Sequence, residues 1–355
     1  MTVDSRAAST ARLGGQSTTA AGVAVRRRLL KVLPLYGTLT LAVLVMTPTV
    51  GSTPINLARV FDTTIPWSEN VDAQIFFVAR LPRVIAGALV GSALAAAGVV
   101  MQALLRNPLA TPFTLGVSAG GALGAMLAIG GKLDSTVLGI ASIPVASFVG
   151  SLLATLIVYV LATSQRRGLS TSVLLLAGVT LNAFFSALVA FVQYLVDFAD
   201  WLRAARWLLG NLDVADYRPI AAALPFLGGA FVVFAVLPRT LNLLTLGEDI
   251  ASARGVDLAR AQRLAFVSAA LATGAAVSLS GPIGFIGIIV PHLVRLMVGS
   301  DHRVVLPASA LFGAAFLVLC DLVSRTVMAP IELPVGVVTA MIGGPFFLWL
   351  LVRRA

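Results

Sequence analysis

The sequence feature that most constrains the fold is an unbroken apolar run, Val84–Leu105, which holds 22 residues without a charge. Two arginines, Arg80 and Arg83, precede this run, and Arg106-Asn107-Pro108 follows it. About 20 apolar residues are enough for a helix to cross the hydrocarbon core of a bilayer. Glycine and alanine recur along the run, and such small residues let neighbouring membrane helices approach closely. The run therefore predicts a transmembrane helix that packs among other helices rather than a helix that faces lipid.

The composition of the whole chain indicates a membrane protein. Hydrophobic residues make up 58% of the sequence and charged residues 11%, whereas soluble domains have about 25% charged residues. So little polar surface cannot cover a water-soluble body of 355 residues. The single cysteine, Cys320, lies inside an apolar run and can form no internal disulfide. Helix packing must therefore hold the fold together.

Ten apolar stretches of suitable length predict an all-α, polytopic membrane protein with about ten transmembrane helices. Segments seven and eight meet at Ser280-Gly281-Pro282, which leaves a count of nine or eleven open. The predicted spans lie near Leu29–Val50, Val84–Leu105, Phe113–Ile129, Val137–Thr163, Ser172–Val196, Ile220–Leu237, Leu264–Leu279, Pro282–Val298, Val304–Val327 and Pro334–Val352.

The distribution of charge predicts the orientation in the membrane. Most of the 25 Lys and Arg residues fall in segments on the side of the N-terminus, and most of the 15 Asp and Glu residues fall on the opposite side. Positively charged loops are retained in the cytoplasm, so both termini are predicted to be cytoplasmic. Topology then accounts for the net charge of +10, and no nucleic-acid partner is needed. Residues 1–25 are polar and unpatterned, which predicts a disordered cytoplasmic tail before one membrane domain, residues 26–355.

Three classes of function lack the residues that they require. The phosphate-binding pattern G-x-x-x-x-G-K-[ST] does not occur, so the chain is not expected to bind ATP in that way. His292 and His302 have neither an HExxH pattern nor a cysteine partner, so no metal site is predicted. An intramembrane protease would need a Ser/His pair or two facing aspartates, whereas Asp321 is the one acidic residue well inside a predicted span. Transport across the membrane is the function that remains.

The longest cytoplasmic loop, at about residues 238–262, is predicted to hold two short helices. Gly247 would end the first of them and Gly255 the second. Glu248 and Asp249 would begin the second helix, where the helix dipole favours negative charge. A short helix on the cytoplasmic surface could enter a socket on a soluble partner, or it could be an amphipathic loop without a partner.

Seven blocks of the chain match a known pattern in the same order. They are Arg80-Leu-Pro-Arg83, Gln102 with Arg106-Asn-Pro-Leu-Ala110, Leu115-Gly-Val-Ser118, Leu246-Gly-Glu-Asp249 with Arg254-Gly-Val256, Gly281-Pro-Ile-Gly-Phe-Ile-Gly287, Pro291-His292 and Glu332-Leu-Pro-Val-Gly-Val337. Together they resemble the permease subunits of type II ABC importers for vitamin B12, haem and ferric siderophores, the FecCD permease family. The resemblance runs from near Leu30 to the C-terminus.

This resemblance implies a type II ABC importer permease fold over residues 26–355. It also implies a permease homodimer or heterodimer in the lipid of the cytoplasmic (inner) membrane, two cytoplasmic ABC ATPase subunits and an extracytoplasmic substrate-binding protein. The chain itself would not be an enzyme and would need no cofactor. Many relatives have leucine where Arg254 stands, so Arg254 could contact the ATPase or simply face water. The implied ATPase-coupling residues are Leu246, Gly247, Glu248, Asp249, Ala251, Arg254, Gly255 and Val256.

Three arginines are implied to dock the binding protein. In the family, the positions of Arg80, Arg83 and Arg325 meet glutamates on the two lobes of that partner, and the predicted topology puts all three at the external end of a helix. A guanidinium fork keeps its charge and holds a carboxylate bidentately. Arginines that simply reach the membrane interface are the alternative. Asp321 precedes Arg325 by one helical turn, so it is expected to pair with Arg325 and hold it in place.

The fifth span carries Asn182, Ser186 and Gln193 on one helical face, a set that we call the polar stripe. Polar groups in a membrane helix either line a wet cavity or form hydrogen bonds with neighbouring helices. The sequence favours neither interpretation, so these three residues are candidates for the translocation path.

The resemblance implies a ferric siderophore as cargo, because it is the commonest cargo of the family, with vitamin B12 second and haem third. No residue in the chain separates the three. The rival function is an ion-coupled secondary transporter, which would need ionisable groups inside the membrane to carry the coupling ion. Asp321 is a poor candidate for that role because an arginine lies beside it along the helix.

Overall fold

The computed structural model describes residues 4–133, 136–137, 140–164, 171–214 and 216–354. Within these ranges, seven helices are long and apolar enough to cross a membrane, and three shorter apolar helices cover Val117–Gly130, Ile286–Val298 and Val335–Trp349. Each of the ten coincides with one of the predicted spans. The prediction of an all-α, polytopic membrane fold is therefore confirmed.

The helices are connected by short turns, and the only strands among the described residues are two residues long. These strands, β1 (Thr136–Val137) and β2 (Ile140–Ala141), pair in an antiparallel manner. Turns of 3₁₀-helix cover Thr47–Thr49 and Pro112–Leu115, and a π-helical turn, Ile75–Arg80, leads into the fourth helix. In chain order the α-helices are α1 (Asp4–Met46), α2 (Leu57–Val60), α3 (Val71–Gln74), α4 (Leu81–Leu104), α5 (Val117–Gly130), α6 (Ser142–Thr163), α7 (Thr171–Leu195), α8 (Phe198–Leu208), α9 (Tyr217–Val236), α10 (Pro238–Leu244), α11 (Glu248–Ala253), α12 (Leu258–Ser280), α13 (Ile286–Val298), α14 (His302–Thr326) and α15 (Val335–Arg354).

Two segments resolve points that the sequence leaves open or describes differently. Helix α12 ends at Ser280, Gly281 follows with a left-handed φ of +65°, and α13 begins at Ile286. Predicted spans seven and eight are therefore separate helices. At the other end of the chain, α1 begins at Asp4 and includes most of the residues for which the sequence predicts a disordered tail. These residues are rich in alanine, which has the highest helix propensity.

The core of the bundle is built around α4, α12 and α14. In the α4 span 78% of the most apolar window is buried, whereas in the α1 span only 17% is buried. Glycines make this packing possible: a Cβ atom on Gly91 would lie 2.2 Å from the Gly313 carbonyl oxygen of α14. Likewise a Cβ on Gly98 would lie 2.1 Å from the Gly287 carbonyl oxygen of α13. The small residues of Val84–Leu105 thus place this helix inside the bundle, as the sequence predicts.

The bundle has two ends that carry different polar groups. We call the end with Arg80, Arg83 and Arg325 the arginine end. Helix α4 begins there, and α14 ends there. We call the opposite end, where α4 ends at Leu104 and α10 and α11 lie, the loop end.

Candidate functional site

The segment between α10 and α12 forms the two short helices that the sequence predicts. Helix α10 ends at Leu244, and Gly247 precedes α11 with φ +118° and ψ 152°. After α11, Gly255 has φ +81°, and the Asp257 side chain accepts a hydrogen bond from the Arg260 N–H at the start of α12. Such positive φ values are readily adopted only by glycine. We call Leu246–Val256 the loop segment.

The loop segment is fixed at a few points and exposed elsewhere. Ala251 is fully buried, and the Glu248 carboxylate lies 3.3 Å from both the Arg106 guanidinium and the Gln262 amide nitrogen. Leu246 and Ile250 are 60% and 46% exposed. The remaining exposed members of the segment are Asp249, Ser252, Ala253, Arg254 and Gly255. The segment therefore presents apolar and charged groups beside each other at the loop end, as a protein-docking surface does.

A polar network joins the loop end of α14 to α10. The Asn242 amide nitrogen donates to the Asp301 carboxylate at 2.8 Å, and the Asn242 amide oxygen accepts from the His302 N–H at 2.9 Å. Asp301 also accepts from the Arg303 guanidinium at 2.7 Å. Partial burial acts to raise the pKa of Asp301, but its hydrogen bonds with Arg303 and Asn242 outweigh burial and lower this pKa to about 2. Asp301 therefore stays ionised at physiological pH and holds α10 against α14.

The three arginines of the arginine end form one cluster, in which Arg83 and Arg325 contact carboxylates and Arg80 contacts backbone carbonyl oxygens. Arg83 donates to Asp321 at 2.8 Å and to Glu332 at 2.7 Å. Arg325 lies 3.4 Å from the second Asp321 oxygen, which is the pair along α14 that the sequence predicts. Arg325 also donates to the Thr47 carbonyl oxygen, and Arg80 donates to the carbonyl oxygens of Pro48 and Thr53.

The cluster holds several segments of the chain together and leaves little guanidinium surface exposed. Arg80, Arg83 and Arg325 are 6%, 7% and 4% exposed. In this state they do not form an open charged surface, so docking by these arginines stays a prediction that needs a rearrangement. The exposed member is Glu332, whose side chain is 47% exposed. Sequence reasoning missed the contact of Glu332 with Arg83, although Glu332 begins one of the matched blocks.

The polar stripe lies on α7, at the periphery of the chain. Only 22% of the most apolar window of this helix is buried. Asn182 and Ser186 are exposed and Gln193 is half-buried, and none of the three side chains forms a hydrogen bond with another described residue. Bridging between helices of one subunit therefore has no support from these contacts. That the polar stripe lines the translocation path stays a prediction.

No metal centre can be built from the described residues. They contain no group of three or more His, Cys, Asp or Glu side chains that could hold a metal ion.

The comparisons with known proteins agree with this architecture. The profile of the FecCD transport family matches residues 39–353. The chain is 45% identical to the cobalamin import system permease protein BtuC of Halobacterium salinarum, over 78% of this chain and 72% of that protein. It is 40% identical to a protein assigned as an iron chelatin transport system permease in Helicobacter pylori strain 26695, over 77% and 81% of the two chains.

A solved structure matches the whole bundle. It is assigned to a metal-chelate type ABC transporter in an inward-facing conformation, with a TM-score of 0.78 and 30% sequence identity. The match covers 91% of this chain and 99% of that chain. The profile match over most of the chain, the relatives and this structure lead to one conclusion. The chain is a multi-pass membrane protein that belongs to the FecCD transport family, the permease family that its sequence blocks resemble.

Proposed function

We propose that this chain is the membrane permease subunit of an ATP-driven importer that moves a metal chelate across the cytoplasmic membrane. The observation that carries the proposal is the loop segment, a short exposed helix held between two left-handed glycines at one end of the bundle. Such a helix can transmit a movement of a soluble partner to α10 and α12, which it joins. The chain has no phosphate-binding loop of its own, so two separate cytoplasmic ATPases supply the energy.

The cargo that we propose is a ferric siderophore. Two similar proteins are named for an iron chelate and for cobalamin, which are both bulky metal chelates. Vitamin B12 and haem are therefore the alternatives. A chelate of this kind needs a weakly interacting wall, because a separate binding protein supplies the affinity.

The loop end is proposed to face the cytoplasm, with both termini on that side. Positively charged segments are retained inside, and the loop end carries Arg106, Arg254, Arg260, Arg295 and Arg303. The arginine end then faces outward, where a binding protein delivers the cargo.

Docking of the binding protein is proposed to use the Arg83–Glu332 contact, in which the Glu332 side chain is exposed. A carboxylate of the partner would replace Glu332 on the Arg83 guanidinium, since both are carboxylates that one fork can hold. Asp321 is 1% exposed and would keep its contacts during this exchange. The cluster would thus hold the fold in the free permease and bind the partner in the complex.

The path is proposed to lie where the exposed face of α7 meets a second permease subunit, which can be the same chain or a different one. The polar stripe lies on this face, next to exposed apolar residues such as Val179. A mixed wall of this kind binds a large chelate weakly.

Reconstitution into liposomes tests the proposal. The permease is combined with its ATPases and binding protein, and uptake of a ⁵⁵Fe-labelled siderophore, of labelled cobalamin and of haem is measured with and without internal ATP. Siderophore uptake that requires ATP supports the proposal. If only cobalamin or only haem is taken up in an ATP-dependent manner, that compound is the cargo instead. Uptake driven by an ion gradient without ATP would show a secondary transporter and refute the proposal.

A further inference from the structure

A cavity of about 310 Å³ opens at the loop end, outside the groups discussed above as the coupling surface. It lies between the end of α4, the turn that follows α10 and the turn between α13 and α14. Its lining contains two arginines, five other polar side chains and no carboxylate. The lining residues are Gln102, Ala103, Arg106, Asn107, Pro108, Thr245, Arg295, Ser300 and His302.

Arg295 is the central cation of this cavity. It lies in the last turn of α13, and its guanidinium donates to the amide oxygen of Gln102. Gln102 is 5% exposed and is itself fixed, because its amide nitrogen donates to the Gly287 carbonyl oxygen at 2.9 Å. In the described part of the chain no carboxylate oxygen comes within 4.0 Å of the Arg295 guanidinium. A half-buried guanidinium is thus oriented by a neutral acceptor and has no counter-charge among the described residues of its own chain.

Arg106 forms the rim of the cavity and has a left-handed φ of +49°. Its guanidinium lies 3.3 Å from the Glu248 carboxylate, and the two side chains are 45% and 43% exposed. An ion pair this exposed is weak, at roughly 0–1 kcal/mol. Arg106 can therefore exchange Glu248 for a better anion without a large cost.

The geometry points to a binding site in this cavity for an anionic phosphate group, supplied by a lipid headgroup or by free inorganic phosphate. The two guanidinium groups and the Ser300 hydroxyl offer more donors than the two oxygens of a carboxylate can use, and a phosphate has more oxygens to accept them. The cavity also lies at the ends of the apolar helices α4 and α13, and the ends of helices that cross a bilayer reach its headgroup region. Basic pockets between membrane helices at this depth bind anionic headgroups.

The surroundings of the cavity suit a lipid as the source of the phosphate. Leu296 and Met297 follow Arg295 on α13 and are 68% and 67% exposed. Acyl chains could lie on these residues while the headgroup phosphate enters the cavity. Occupancy would also draw Arg106 away from Glu248, so the phosphate would release one of the contacts that fix the loop segment.

Titration of the purified full chain in a neutral detergent tests the site. The probes are dihexanoyl phosphatidylglycerol, inorganic phosphate and, as a lipid without net charge, dihexanoyl phosphatidylcholine. Arg295→Gln and Arg106→Gln remove the two cavity cations, and Arg263→Gln makes the same charge change at an exposed position of α12 outside the cavity. Elution as a monodisperse peak shows which variants fold. Arg106 is exposed, so Arg106→Gln carries the test if Arg295→Gln does not fold.

The site is supported if the affinity for phosphatidylglycerol falls at least about tenfold in Arg295→Gln or Arg106→Gln. The affinity of the control variant Arg263→Gln should stay within about twofold of that of the native chain. Competition by inorganic phosphate at equal concentration assigns the site to free phosphate, and no competition assigns it to the lipid. The inference is overturned if neither phosphatidylglycerol nor phosphate binds. It is also overturned if binding is the same in all three variants, or if phosphatidylcholine binds as well as phosphatidylglycerol. If the true occupant is a carboxylate of a partner protein, neither phosphatidylglycerol nor phosphate will bind.

Discussion

The substitution Gly247→Ala should uncouple the permease from its partner ATPase while the chain stays folded. Gly247 has φ +118° and ψ 152°, a region that residues with a Cβ atom rarely adopt. Such strain costs about 1–3 kcal/mol per residue. No atom lies within 4 Å of the position of the added Cβ, so the cost comes from the backbone and not from a steric clash.

The loop segment is expected to relieve this strain by moving, because most of its residues are exposed and its contacts with the bundle are those of Ala251, Glu248 and Val256. A moved α11 no longer presents Leu246 and Ile250 in the same arrangement to a partner. If the strain of about 1–3 kcal/mol appears as lost binding energy, affinity for the ATPase falls about 5- to 150-fold. The long membrane helices lie outside this segment, so the bundle should keep most of its thermal stability.

The assay measures the affinity of the purified permease for its ATPase by biolayer interferometry, together with uptake in liposomes. Gly228→Ala is the matched control, since it makes the same change on α9 at a position with no atom within 4 Å and an ordinary φ. Glu248→Arg is a second variant, which reverses the charge that faces Arg106. Native affinity and uptake in both Gly247→Ala and Glu248→Arg would refute the coupling role of the loop segment.

Three further predictions concern the bundle, the arginine cluster and the path. Gly98→Ala should destabilise the protein in detergent by about 1–3 kcal/mol, because its Cβ would lie 2.1 Å from a carbonyl oxygen of α13; a thermal midpoint equal to that of Gly228→Ala would contradict this. Asp321→Asn should lower the free energy of unfolding by about 3–5 kcal/mol because it removes the buried carboxylate shared by two arginines. Glu332→Gln should lower it by about 1 kcal/mol or less and should tighten docking of the binding protein; weaker docking would exclude the proposed exchange. Single cysteines at the polar stripe, in a Cys320→Ser chain, should react with a water-soluble thiol reagent in an ATP-dependent manner, and slow labelling at all three would remove them from the path.

Several features of the fold could be read from the sequence because they depend on local composition. A helix that crosses a bilayer must satisfy its own backbone hydrogen bonds and expose apolar side chains, so its length and composition reveal it. This is why the ten spans and the packed character of Val84–Leu105 are visible in the sequence. The breaks at Gly247 and Gly255 could also be predicted, since few residues other than glycine adopt those φ values.

The partners of the charged residues could not be predicted in the same way. Asp321 and Arg325 are one helical turn apart, so their pair follows from the sequence, but the contacts of Arg83 with Asp321 and Glu332 join residues about 240 positions apart. No local sequence pattern predicts such contacts. The same is true of Arg295, whose cavity is formed by three separate turns of the chain.

The sequence by itself determined that this chain is a membrane bundle of ten apolar helices, that it belongs with the FecCD permeases, and where its loop segment bends. Only the tertiary structure decided that the three predicted docking arginines are buried, two of them against Asp321, and that the polar stripe lies on an exposed face. The physical reason is the range of the interactions: hydrophobicity and backbone conformation act within a few residues of the chain. Burial and ion pairing depend on which distant helices become neighbours, and close glycine contacts such as Gly91 with Gly313 determine that arrangement.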